Sequence, residues 1–292
     1  MVAAATALLM VFAFFITSVI VYARWNAQQF VADASPVIRE PVPTPFLTPT
    51  PPEAIVVERS SSNKPVVTPP PSGSVTAQYV NAPFSADGDL AGWTEIPSYA
   101  STFSVASVGG WDESDDLQAF WRLAWDDINL YVAVLVVDDV HVQTQTGNLI
   151  YLGDSVELQI DTQRSADLGQ PINRDDFQLI LSPGDFDALQ PSVVLLRGTD
   201  AGQLADEPSS GIVLSSAQLP TGYVLEAVVP WSSLDVRPYS GLELGLALNA
   251  SDNDTPATAQ QEVVKSHVAQ RQLGQPSTWG LLILTGGNVE VD

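Results

Sequence analysis

The chain has 292 residues, no cysteine, two methionines, two histidines and a formal net charge of −23. Without cysteine it has no disulfide framework, no thiolate nucleophile and no zinc–thiolate site. Four acids and four bases fall in residues 1–75, so the other 30 acids and seven bases carry the whole net charge. That balance excludes nucleic acid as a partner and suits neutral ligands, cations and Ca²⁺.

Residues 1–24 read as a transmembrane anchor. Val2 to Ala23 is almost wholly apolar, interrupted only by Thr6, Thr17 and Ser18. At 1.5 Å per residue it spans about 33 Å as a helix, enough to cross a bilayer core. The run exceeds the apolar segment of a cleaved signal peptide, and no Ala-x-Ala-like site clearly follows it, so an uncleaved single-pass anchor is expected. Arg24 alone would hold its end in the cytoplasm, but one base decides little against the Pro-rich stretch on its far side. Residues 25–75 read as a disordered linker. Pro36, Pro41, Pro43, Pro45, Pro49, Pro51 and Pro52, then Pro65 and Pro69 to Pro71, alternate with Thr and Ser. Such a composition favours extended polyproline II and a stalk on the order of 100 Å, which places the acidic domain outside the cytoplasm.

Residues 76–292 form the globular part. Strands are expected near 118–125, 129–137, 154–161, 176–182, 192–197, 211–217, 222–230, 242–249 and 279–285. Breakers such as Asp126-Asp127, Pro183-Gly184 and Pro220-Thr221-Gly222 separate them. Only a short piece at 258–270 carries a helical period. Many short strands without helices predict an all-β, antiparallel β-sandwich. Within 154–161, Val156, Leu158 and Ile160 share one face, while Ser155, Glu157, Gln159 and Asp161 share the other. A polar strand face beside an aromatic, Tyr151, suits a sugar: rings stack on aromatics while carboxylates and amides bond hydroxyls. For the strand alone, the plainer reading is that Asp154 and Asp161 cap it and Glu157 is solvated.

Several pieces, in order over about residues 80–286, resemble the family 9 carbohydrate-binding modules. Ser85-Ala86-Asp87-Gly88-Asp89-Leu90 with Trp93 is similar to the family's opening. Trp125-Asp126-Asp127-Ile128-Asn129-Leu130-Tyr131-Val132 is similar to its W-D-x-x-x-L-Y-V hairpin, with Asp138-Asp139 at its acidic turn. Gly153-Asp154-Ser155-Val156-Glu157-Leu158-Gln159-Ile160-Asp161 resembles its D-S-V-E-I-F-I-D strand. Gly222-Tyr223 with Glu226-Ala227 and Trp231, then Pro276 to Leu284, resemble its later segments. The resemblance implies a jelly-roll-like sandwich carrying structural Ca²⁺ and a terminal sugar clamped between two aromatic faces. Tyr151 stands where one clamp Trp is implied, and Leu273 where the other is. Glu157 stands at the sugar-bonding carboxylate, and Gln178 at an arginine. Trp111 is a further candidate for the missing face, whereas Trp279 reads equally as core.

Other chemistries find less support. A glycosidase needs two carboxylates facing across a cleft, which so acidic a sequence cannot single out. No G-x-S-x-G accompanies His141 or His267. No catalytic residues are therefore expected. Among the acidic turns, Asp87, Asp138 and Asp139 are the candidate Ca²⁺ ligands. Asn249-Ala250-Ser251 and Asn253-Asp254-Thr255 fit the N-glycosylation pattern. The functional expectation is a membrane-anchored domain, displayed outside the cytoplasm, that binds a polysaccharide or oligosaccharide end and serves polysaccharide recognition or degradation. The alternative is a structural or adhesion sandwich, with Leu273 in place of a clamp, that meets a protein or envelope partner.

Overall fold

The computed structural model describes residues 73–107, 116–209 and 211–287. The apolar run at 2–23, almost all of the linker, and Trp111 lie outside these residues. Among the described residues no helix is long and apolar enough to cross a membrane.

Fourteen strands follow one another in the chain: β1 (Ser74–Tyr79), β2 (Ser98–Ser101), β3 (Phe103–Ser107), β4 (Leu117–Trp125), β5 (Asn129–Asp138), β6 (Ser155–Asp161), β7 (Asp176–Ser182), β8 (Ser192–Gly198), β9 (Leu204–Glu207), β10 (Val213–Leu219), β11 (Gly222–Pro230), β12 (Glu243–Asp252), β13 (Val263–Ser266) and β14 (Gly280–Thr285). The nine strands expected from sequence are all present. The piece at 258–270 is not helical: it contains β13, which pairs with β12 and β3. Val263 and Val264 are β-branched and buried, and partners far away in the chain override the weak helical spacing.

Two antiparallel runs make up the sheet. One is ordered β10-β11-β5-β4, with β2 beside β4; the other is ordered β14-β12-β6-β7-β8-β9. β1 joins them and is parallel to both of its neighbours, β4 and β14. The expected wholly antiparallel pattern therefore fails at this one strand. No tight turn connects β1 to either neighbour, so nothing forces it to run antiparallel. The sheet curls so that both runs bury one face in a common core. Trp121, Trp125, Val132, Val134, Leu225 and Val229 come from the first run, and Val156, Leu158, Ile160, Leu179, Leu246 and Leu248 from the second.

The outer faces of the two runs differ. On the first run, Phe120, Tyr131, Ala133 and Leu135 are covered by Leu90, Trp93 and Ile96. Being apolar on both faces, β5 reads as a continuous hydrophobic run (Leu130 to Val137) rather than an alternating one. Glu226 ties the cover down, accepting the Trp93 indole N–H at 2.7 Å and the backbone N–H groups of Asp87 and Asp89 at 3.0 and 3.1 Å. The turn containing Asp87 thus serves the packing of this cover. On the second run, polar residues of β12, β6 and β7 occupy the outer face.

His267 pins the junction. Its Nδ1 accepts the Leu248 backbone N–H at 3.0 Å, and its Nε2 faces the Gly73 carbonyl at 3.1 Å, so β12 is linked to the start of β1. The ring must be the neutral Nε2–H tautomer, since a proton on Nδ1 would point at an N–H group. Burial pulls its pKa down to about 4. Between pH 4 and 6.5 the folded chain therefore binds fewer protons here than the unfolded chain. This contribution is complete above pH 6.5 and is lost as pH falls towards 4, up to about 3 kcal/mol. In denaturant titrations from pH 7 to 4, wild type should lose stability more steeply than His267→Gln by about that amount. Parallel curves would contradict the assignment.

Candidate functional site

Antiparallel register sets the polar face. Asn249 on β12 lies opposite Glu157 on β6, Ser251 opposite Ser155, and Ala247 opposite Gln159. Gln159 in turn lies opposite Gln178 on β7. The period of two that sends Leu246, Leu248, Leu158 and Leu179 into the core sends these polar groups outward. Outward does not mean solvated here. Glu157 is only 2% exposed, which rules out the solvated reading of this carboxylate.

Glu157 is held by groups from three places. Its Oε2 accepts the Gln178 amide at 2.9 Å, its Oε1 accepts Gln261 at 3.4 Å, and an Arg271 Nη2 stands 3.7 Å from Oε2. Arg271 also donates through Nε to Gln159 Oε1 at 2.8 Å. Burial pushes the Glu157 pKa up, against the pull of Arg271, Gln178 and Gln261. The structure thus brings Glu157 and Gln178 together as expected. It also supplies from a loop, through Arg271, the positive charge that Gln178 lacks.

Tyr151 sits at the margin of this face. It follows Ile150 in a 3₁₀ turn, Gly147–Leu152, and packs half-buried against the cluster of Ile150, Ile180 and Val194. Its carbonyl accepts Ser251 Oγ at 3.2 Å and Gln261 Nε2 at 3.4 Å, which ties the aromatic to the Glu157 network. Leu273 is 39% exposed in the loop between Arg271 and Trp279, and Trp279 is buried with its indole N–H on the Gln272 carbonyl at 3.0 Å.

Asn249 is fully buried (0% exposed), yet neither its amide oxygen nor its amide nitrogen has a hydrogen-bond partner in the protein, and Gln159 Nε2 has none either. Leaving such groups unpaired costs about 1–3 kcal/mol each. They lie beside a carboxylate and a guanidinium, under the polar face rather than on it. Sequence reasoning missed Asn249, Ser251, Gln261 and Arg271. For Asn249 and Ser251 a signal existed, because alternation with Leu246, Leu248 and Ala250 puts them on the face opposite the core. The two glycosylation patterns are overturned: Asn249 and Asn253 are both buried inside the fold, out of reach of a glycan.

Acidic side chains gather where β5 and β12 end and β6 begins. Asp138, His141 and Asp154 form one group, Asp116, Asp252 and Asp254 a second, and Asp138, Asp139 and Asp254 a third. Within each group the potential ligand atoms lie within 4.8 Å of one another. Asp154 serves the loops: it takes Val142 N at 2.5 Å, Asn253 N at 2.9 Å and His141 Nδ1 at 2.9 Å. Burial pulls on His141, but hydrogen bonds to Asp138 and Asp154 hold its pKa up, at about 10. Asp252 is 1% exposed with both carboxylate oxygens unbonded, and burial together with Asp154 and Asp254 pushes it up to about 10. Hard oxygen donors crowded in this way fit a Ca²⁺ ion. Asp138 and Asp139 thus fall together with Asp254, whereas Asp87 belongs to no such group among the described residues.

Residues 87–287 match the family model described as "Carbohydrate family 9 binding domain-like". Two solved structures share the fold, both of a carbohydrate-binding module family 9 from Caldicellulosiruptor kristjanssonii, one in complex with cellotriose and one with glucose. Each aligns at a TM-score of 0.56 and 19% identity, covering 75% of this chain and 99% of the other. No curated protein sequence matches the chain.

Proposed function

The chain belongs to the carbohydrate family 9 binding domain-like family, and on that premise we propose that the outer face of β12, β6 and β7 binds the end of a polysaccharide or oligosaccharide. The family is one of binding modules and not of catalysts. In this reading the curled sheet is a jelly-roll-like β-sandwich. Tyr151 stacks on the sugar ring, while Glu157 and Gln178 take its hydroxyls. Arg271 draws the Glu157 pKa down against the effect of its burial. The half-buried Tyr151, tied through its carbonyl and Gln261 to Glu157, is the observation that carries the reading. Because the two similar structures hold cellotriose and glucose, glucose-type ends are the first ligands to try.

Isothermal titration of the chain with cellobiose, cellotriose and xylobiose should show binding to at least one. Tyr151→Ala should weaken it about tenfold, in keeping with the roughly 1–3 kcal/mol of a stacking face. A folded chain that gives no heat with any of these sugars would favour the structural or adhesion reading. Leu273 supports that second reading, since it leaves an exposed aliphatic group where the sugar clamp would need a second ring.

Asp138, Asp139, Asp252 and Asp254 would hold a structural Ca²⁺ that fixes the loops around this face. With 1 mM Ca²⁺ the melting temperature should rise by several degrees, as it does for any ion that binds only the folded form. In Asp252→Asn most of that rise should vanish; a rise as large as in wild type would rule the site out.

The apolar run and the Pro-rich stalk would hold the module at a membrane, displayed outside the cytoplasm. The whole chain should then stay with membranes through a carbonate wash. Release by the wash would contradict an anchor.

A further inference from the structure

Tyr151 ends a short turn that has little to fix it from within. Gly147–Leu152 is a six-residue 3₁₀ turn, and no side chain caps it at Thr146. The last carbonyls of such a turn have no partner inside it and are met from outside. Ile150 O accepts Gln143 Nε2 at 2.9 Å. Tyr151 O is met by a residue of β12 and by one from the loop that follows it.

Those two side chains form a relay. Gln261 Nε2 donates to Ser251 Oγ at 2.8 Å, and the Ser251 hydroxyl passes its own proton to Tyr151 O at 3.2 Å. The same Nε2 stands 3.4 Å from both Tyr151 O and Glu157 Oε1. Ser251 is 1% exposed, so its hydroxyl has no water to turn to. The loop that carries Gln261 is bound to itself and to its surroundings. Next to Gln261, Glu262 donates through N to Asp252 O at 2.8 Å and accepts Asp254 N at 3.0 Å. Asn253 Oδ1 accepts Thr255 N and Thr258 Oγ1, both at 3.2 Å, and Thr144 Oγ1 donates to Thr258 O at 2.8 Å. That frame holds Ala257 at φ 61°, a left-handed backbone uncommon outside glycine.

We propose that Gln261 and Ser251 are positioning residues for the sugar site: they fix the Tyr151 turn through its carbonyl and so set the ring relative to Glu157. This role rests on the reading of the outer face of β12, β6 and β7 as a sugar site. Neither residue needs to touch the sugar. Without the relay the Tyr151 carbonyl turns to water, the turn samples positions in which the ring is misplaced, and affinity falls with the fraction of chains still in the competent arrangement. A loss of that origin is bounded by the cost of deleting the ring itself, about tenfold.

The test compares Ser251→Ala and Gln261→Met with wild type and Tyr151→Ala in isothermal titration with cellotriose. Methionine keeps roughly the length of glutamine and has no donor. Each substitution should weaken binding about fivefold by itself, but less than about twofold in the Tyr151→Ala background, where no ring is left to position. A merely structural loss would be the same in both backgrounds. In the sugar-free chain the NMR ring signals of Tyr151 should move in both variants, while those of Tyr131 and Tyr223 stay in place. Gln261 is only half-buried, so Gln261→Met carries the test by itself if Ser251→Ala fails to fold. No heat with cellotriose in wild type would overturn the reading of the face, and this role with it. Wild-type binding with equal losses in the two backgrounds, with no loss at all, or with Tyr151 ring signals unmoved would overturn the role alone.

Discussion

Glu157 is a carboxylate held almost wholly out of water on the side of a strand that faces away from the core. A charge in that position is tolerated only with partners around it, because desolvating it costs several kcal/mol. Its partners come from β7 through Gln178, from the loop after β12 through Gln261, and from the segment after β13 through Arg271. Gln261 passes the connection on to Ser251 and to the Tyr151 carbonyl. This one buried carboxyl therefore gathers two loops and an aromatic turn.

This polar face exists because the two runs of the sheet are finished differently. The segment before β2 lays Leu90, Trp93 and Ile96 over the outside of the first run and closes it to solvent. The second run receives only a small apolar patch, around Ile150, Ile180 and Val194, with Tyr151 at its edge. β1 makes the arrangement possible by bridging the runs in parallel, and His267 fixes where it begins. A buried neutral imidazole wired to two backbone groups is a rigid peg, and it sits at the junction on which the common core depends.

The alternation within 154–161 and the near-continuous apolar run of 129–137 were readable in the sequence because each is local: period two marks one buried face, and an unbroken run marks two. Short strands without such a run, β2, β3 and β9, gave no signal, and β13 gave a misleading one, since its pairing with β12 and β3 is set at a distance in the chain. At the site, Glu157 and Gln178 could be matched through the family resemblance, and they meet diagonally across the adjacent strands β6 and β7. Arg271 could not, because it comes from an irregular loop whose course depends on the rest of the fold. Asn249 was legible in its alternation as lying on the face opposite the core, but its triplet only fitted a short glycosylation pattern, and only the fold shows that it is buried. The acidic turns were visible as pairs, while their grouping across β5, β6 and β12 required the sheet order.

The most direct test is to follow the ring signals of Tyr151 and the side-chain amide signal of Gln178 by NMR while cellobiose is added. The account predicts that both shift and saturate together. Sugar-dependent shifts confined to other parts of the surface, with Tyr151 and Gln178 unmoved at saturation, would contradict it.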